Sequence, residues 1–141
     1  MAISNREKKA VGVYVHIPFC RKKCYYCDFY SLPDIEASLI DEYCQAVAAE
    51  IKMAAGAMDD LFVSTIFLGG GTPSLLSAGQ VDTILQQIKA SFTVSSDVEI
   101  TMEVNPATID LPEFEQYLTA GVNRISLGVQ SFHDEELQIL G

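Results

Sequence analysis

Strand-like and helix-like segments alternate four times along this chain, and that alternation constrains the fold more than any other feature. Residues 12–17 (GVYVHI) alternate with β-branched side chains and stop at Pro18, which predicts a first strand. Residues 34 to about 57 place Leu39, Tyr43, Val47 and Ile51 at helical spacing. Residues 64–68 (STIFL) predict a second strand, ended by Gly69, Gly70 and Gly71. Residues 77–90 predict a second helix, with Val81, Ile84, Leu85 and Ile88 at i, i+3, i+4 and i+7, and with Ser77 and Gln80 as a capping box. Residues 98–104 predict a third strand, Leu111–Ala120 a third helix stopped by Gly121, 123–129 a fourth strand, and 133–140 the start of a fourth helix.

Four strand-then-helix units with short connections imply parallel strands and right-handed crossovers. The expected class is α/β, either an open doubly wound sheet or part of a barrel. A complete eight-unit barrel takes about 250 residues. A chain of 141 is therefore expected to hold about four β/α units of one, truncated in its fourth helix. In both architectures chemistry sits at the carboxyl ends of the strands. The unusual residues lie there: Cys20, Cys24 and Cys27 after the first strand, GGGTPS after the second, Glu103-Val104-Asn105-Pro106 at the end of the third, and Gln130-Ser131 after the fourth.

Composition narrows the partners. The chain is 49% apolar, yet no apolar run approaches the roughly 18 residues of a membrane span, so no span is expected. The basic start MAISNREKKA is followed by the alternating VGVYVHIPF without a small-residue cleavage site, so a secretory signal is not expected and the cytoplasm is. Net charge is −10, although residues 1–27 hold Arg6, Lys8, Lys9, Arg21, Lys22 and Lys23 against Glu7 alone. An acidic bulk of this kind argues against a general nucleic-acid binder. The N-terminal basic run reads as a solvated face, whereas Arg21, Lys22 and Lys23 sit between two cysteines.

The triplet C-x3-C-x2-C in a cytosolic setting argues for metal rather than disulfides. Structural zinc asks for four ligands, and no fourth Cys or His follows at zinc-finger spacing. Cys44 falls on the first helix and reads as a buried helix residue. Three thiolates suit an iron–sulfur cluster with one open iron, zinc or incidental clustering remaining the alternatives.

With an aromatic, Tyr26, before its last cysteine, the triplet resembles that of the radical S-adenosylmethionine (radical SAM) superfamily. Four blocks in order are similar to those of the oxygen-independent coproporphyrinogen III oxidase family and its haem-chaperone relatives: YVHIPFC from Tyr14, GGGTPS from Gly69, EVNP from Glu103, and RISLGVQSF from Arg124. The resemblance implies that residues 1–141 are the N-terminal portion of a radical SAM core domain of TIM-type (β/α) architecture, with the remaining barrel and a C-terminal region absent. It implies a four-iron four-sulfur cluster on Cys20, Cys24 and Cys27, whose open iron takes the amino and carboxylate groups of SAM. An electron from that cluster would split SAM into methionine and a 5′-deoxyadenosyl radical.

By the same resemblance Gly70 contacts SAM, Gly71 and Thr72 contact that or a second SAM, Glu103 and Gln130 bind SAM, and Tyr14 and Tyr26 contact SAM and the cluster surroundings. Each residue also has a plainer reading. Three glycines can simply make a turn. Glu103 interrupts the apolar stretch ITMEVNP and needs a partner unless it is solvated. Gln130 fits a turn, and the two tyrosines fit packing. Arg21, Lys22 and Lys23 either offset the anionic cluster or are solvated. His16 reads as a hydrogen-bonded structural residue and His133 as exposed or capping, neither as a metal ligand.

One position departs from the oxidase pattern C-x3-C-x2-C-x-C, because the chain reads Cys27-Asp28-Phe29. That departure favours the haem-chaperone branch, with haem as a further ligand and haem or porphyrin, haem-accepting proteins and an electron donor such as flavodoxin as partners. The alternatives are the oxidase, which converts coproporphyrinogen III to protoporphyrinogen IX, or another radical SAM enzyme; enzymatic turnover itself stays open.

Overall fold

The computed structural model describes residues 8–58 and 60–141. Arg6 and Glu7 of the basic N-terminal run lie outside the described residues. Four parallel strands form the main sheet in the order β1 (Lys9–Ile17), β4 (Leu61–Gly70), β5 (Thr93–Val104), β6 (Arg124–Leu127). A second, two-stranded parallel sheet pairs β2 (Phe19–Cys20) with β3 (Leu32–Pro33). The helices are α1 (Ala37–Gly56), α2 (Ala78–Ser91), α3 (Leu111–Ala120) and α4 (Asp134–Leu140).

The main-sheet order decides between the two α/β architectures. Each new strand adds beside the previous one in a single direction, and α1 packs on α2 and α2 on α3. A doubly wound sheet reverses its strand order at a switch point; these strands do not. Sequential order with right-handed crossovers keeps the helices in one layer, as in a (β/α) barrel wall.

Register then sorts the side chains by face, because successive residues of a strand point to opposite sides. Val15, Leu68, Met102 and Ile125 stand in one row facing the helices. Val15, Leu68 and Met102 are buried, together with Val81, Ile84, Leu85 and Ile88 of α2. The opposite face carries the row Tyr14, Phe67, Thr101, Arg124 and, one layer further toward the carboxyl ends, His16 beside Gly69 and Glu103 beside Ser126. Apolar side chains thus build the helix-facing core, while the other face bears the polar groups.

Local chemistry explains most element ends. In α2 the Ser77–Gln80 capping box is present in both directions. In α3 Asp110 and Glu113 form a second capping box, which the sequence reading did not name, and Gly121 closes the helix at φ +112°, a conformation that favours glycine. The first helix begins at Ala37 rather than 34, because Asp34 has φ +55° and Glu36 is extended. Leu39, expected on its core face, is exposed; Cys44, Val47 and Ile51 are the residues it buries. The fourth strand is shorter than 123–129: after Leu127 the chain leaves the sheet through tight turns, in which Leu127 O accepts from Val129 N and Val129 O from Ser131 N. All four residues of β6 are exposed at the sheet edge. Among the described residues no helix is long and apolar enough to cross a membrane.

Candidate functional site

The small β2–β3 sheet closes the base of the cysteine loop. Phe19 pairs with Leu32, Cys20 with Pro33, and Leu32 N–H donates to the Pro18 carbonyl at 2.6 Å. Two-residue pairings leave no periodicity, so the sequence predicts only a strand stopped by Pro18. Within the loop Cys27 N–H donates to the Cys24 carbonyl at 3.2 Å, and Tyr25 N–H donates to the Leu140 carbonyl of α4 at 3.1 Å. The loop is therefore tied at its base, across its turn and to the last helix.

Its three cysteines are partly exposed and none is in a disulfide. Among the described residues no group of three or more His, Cys, Asp or Glu side chains is placed to hold a metal ion. A polynuclear cluster takes each thiolate on a different iron, and soft sulfur donors on one tethered loop fit that demand.

The glycine segment runs directly against this loop. Gly71 N–H donates to the Ile17 carbonyl at 2.8 Å and Thr72 N–H to the Phe19 carbonyl at 2.7 Å. Thr72 Oγ1 donates to Cys20 Sγ at 3.6 Å. Gly70 has φ +114°, and a Cβ there would lie 2.5 Å from the His16 ring; a Cβ on Gly71 would lie 2.7 Å from the Phe19 carbonyl oxygen. Glycine is thus demanded at 70 and 71 by the protein's own packing. Strand β4 runs through Gly70, so the segment is not merely a turn after residue 68.

Glu103 reaches the same place from β5. Its Oε2 accepts the Gly70 N–H at 3.0 Å. The carboxylate therefore has the polar partner that its position in an apolar strand required. Tyr14 lies on the same sheet face, stacked on Phe67 with centroids 6.1 Å apart. Burial first, and then the charge of Glu103, raise the Tyr14 hydroxyl above its ordinary value, so it remains protonated.

His16 ties these parts together as the hydrogen-bonded residue the sequence reading expected. Its Nε2 faces the Tyr30 carbonyl at 3.0 Å and its Nδ1 the Tyr14 hydroxyl at 3.0 Å. A carbonyl only accepts, so Nε2 carries a proton, and in the neutral ring Nδ1 accepts from Tyr14. Tyr26 is half-exposed; burial first, then the Cys24 and Cys27 sulfurs, raise its hydroxyl above its ordinary value.

Gln130 stands apart: it is exposed, has φ +64°, and makes no hydrogen bond to the other candidate residues among the described ones. His133 sits at the N-cap of α4 without a side-chain cap. Arg21 donates to the Ala107 carbonyl at 3.3 Å, Lys23 to the Phe29 carbonyl at 3.4 Å, and Lys22 lies 5.3 Å from the centre of the Tyr25 ring. The three cations are exposed, and these contacts tie them to the loop and its neighbours.

A network not singled out from sequence joins the glycine segment to the turn after Glu103. Asn105 N–H donates to Ser74 Oγ at 3.1 Å, Ser74 Oγ meets Thr108 Oγ1 at 2.5 Å, and the Tyr117 hydroxyl donates to the Leu76 carbonyl. Ser74 and Asn105 stand inside the GGGTPS and EVNP blocks, so their presence there was the available signal.

Comparison with known proteins agrees with this geometry. The radical SAM superfamily pattern matches residues 14–141. The heme chaperone HemW of Escherichia coli (strain K12) is 44% identical over 131 residues, which cover 93% of this chain and 35% of that protein. The oxygen-independent coproporphyrinogen III oxidase of Salmonella typhimurium is 34% identical over 134 residues, 95% of this chain and 29% of the oxidase. The solved structure of coproporphyrinogen III oxidase (HemN) from Escherichia coli, described as a radical SAM enzyme, superposes with a TM-score of 0.86 at 34% identity, over 95% of this chain and 31% of that one. The chain spans about a third of the length of the curated relatives it matches. Strand order, cysteine loop, glycine segment and matched pattern agree: this chain belongs to the radical SAM superfamily.

Proposed function

We propose that this chain, as part of a radical SAM core domain, carries the cluster and SAM site of a cytoplasmic haem chaperone that binds haem and delivers it to haem-accepting proteins. The observation that carries this reading is Phe29. Where the oxidase pattern has a further cysteine, the loop presents an exposed aromatic ring, which supplies neither a thiol nor a metal bond. Similarity to proteins named heme chaperone HemW, at 44% identity, supports the same branch over the oxidases at 34%.

In this reading Cys20, Cys24 and Cys27 hold the four-iron four-sulfur cluster, and Tyr14, Tyr26, Gly70, Gly71, Thr72, Glu103 and Gln130 bind SAM. When bound, the cluster supplies one-electron reduction and an open iron for the amino and carboxylate groups of SAM. The chain's own contribution is positioning. Glu103 holds the Gly70 amide, His16 holds the Tyr14 hydroxyl and the loop exit at Tyr30, and the β2–β3 pairing holds the loop base. Partners are haem or porphyrin, haem-accepting proteins and an electron donor such as flavodoxin; the acidic balance argues against nucleic acid.

The test is a haem titration beside an anaerobic assay with coproporphyrinogen, SAM and a reductant, on the protein carrying this sequence. Saturable haem binding without decarboxylation is expected. Protoporphyrinogen formed at oxidase-like turnover, with no saturable haem binding, overturns the reading.

A further inference from the structure

We propose that Thr72 sets the electron affinity of the cysteine site by donating a hydrogen bond to Cys20, an inference that rests on the iron–sulfur reading above. Thr72 Oγ1 stands 3.6 Å from Cys20 Sγ, within reach of a sulfur acceptor. The donor is held on every side. Thr72 is 9% exposed, its N–H donates to the Phe19 carbonyl at 2.7 Å, and its carbonyl accepts from Leu75 N–H at 3.0 Å. Pro73 follows with a fixed φ. The acceptor is held as well, because Cys20 pairs with Pro33 and its neighbour Phe19 with Leu32.

Gly71 makes the approach feasible. A Cβ at this position would lie 2.7 Å from the Phe19 carbonyl oxygen and would push the Thr72 segment away from Cys20. A hydroxyl carries one proton. Once donated to Cys20, it is no longer offered to SAM, and Thr72 presents only lone pairs to a ligand.

Hydrogen bonds to ligating sulfurs are among the factors that set the potential of an iron–sulfur cluster. A donor on Cys20 draws charge from its sulfur and favours the reduced, more negative state. Removing that donor makes reduction harder.

The experiment compares the anaerobically reconstituted chain with its Thr72→Val, Thr72→Ala and Thr72→Ser variants, using redox titration followed by electron paramagnetic resonance. The Val and Ala variants are expected to keep their iron content while reduction becomes about tenfold less favourable, which is 59 mV for one electron. Thr72→Ser keeps the hydroxyl and is expected to stay near wild type. Failure of both Val and Ala to assemble a cluster that Ser assembles supports the donor role too. An unchanged potential in loaded Val and Ala variants, or a Ser variant that behaves as they do, overturns it. Absence of an iron–sulfur signal from the wild-type chain would instead remove the cluster reading on which it rests.

Discussion

The carboxylate of Glu103 accepts the backbone N–H of Gly70 at 3.0 Å, across 33 residues of sequence. This bond ties the end of β4 to the end of β5 beside the cysteine loop. It also occupies the amide that a glycine-rich strand end would otherwise turn toward a ligand.

Glu103→Ala removes the acceptor of the half-buried Gly70 amide and is expected to cost about 1 kcal/mol, the usual net worth of such a hydrogen bond. Glu103→Gln keeps an acceptor oxygen while losing the charge, so its loss in urea unfolding should be clearly smaller. If the carboxylate contacts SAM, both variants lose SAM affinity in equilibrium dialysis of the reconstituted protein. Equal destabilisation by the two substitutions would contradict the role assigned to this bond.

Gly70 and Gly56 should respond in opposite directions to alanine. A Cβ at Gly70 meets the His16 ring at 2.5 Å in a backbone at φ +114°, whereas a Cβ at Gly56, in the last turn of α1, meets nothing within 4 Å. Gly70→Ala is expected to destabilise by about 1–3 kcal/mol. Gly56→Ala should stabilise by up to about 1 kcal/mol. Chemical denaturation of the two variants measures both signs.

Cysteine substitutions should separate the loop from the helix. Anaerobic reconstitution with iron and sulfide should give broad visible absorption and about four irons per chain. Cys24→Ser is expected to abolish this and Cys44→Ser to leave it intact. Cys44 is 3% exposed on α1, and burial first, then Asp41, push its thiol up to about 11, so it offers no thiolate near neutral pH. Full iron content in Cys24→Ser would sink the ligand assignment.

Alkaline unfolding should show two buried groups in turn. Both are neutral when protonated, and burial raises both, Cys44 from 9.0 to about 11 and Tyr117 from 10.0 to about 12. Between the unfolded and folded values the unfolded chain binds fewer protons, so stability falls as pH rises through each window. Tyr117→Phe should flatten the fall between about 10 and 12, and Cys44→Ala that between about 9 and 11, in urea titrations across pH. Tyr117→Phe should also cost about 1 kcal/mol at neutral pH by losing the bond to the Leu76 carbonyl.

Much of this molecule is written locally. Four strand-helix units, the Ser77–Gln80 cap, the Gly121 stop and the buried stripe of Val81, Ile84, Leu85 and Ile88 follow from periodicity and capping chemistry, which depend on neighbours within a few residues. The cysteine spacing and the four ordered blocks likewise pointed to the family before any fold was seen.

Other features needed distant segments to meet. Strand order separated a barrel wall from a doubly wound sheet, because crossovers of similar length serve both. The β2–β3 pairing, the exposure of Leu39, and the contacts of Thr72 with Cys20, Gly70 with His16, and Ser74 with Asn105 arise where strand ends converge. Sequence alone determined the four main strands, the helices that follow them and which residue types gather at the strands' carboxyl ends. Only the tertiary structure decided which atoms touch there, because hydrogen-bond partners tens of residues apart leave no trace in a local period.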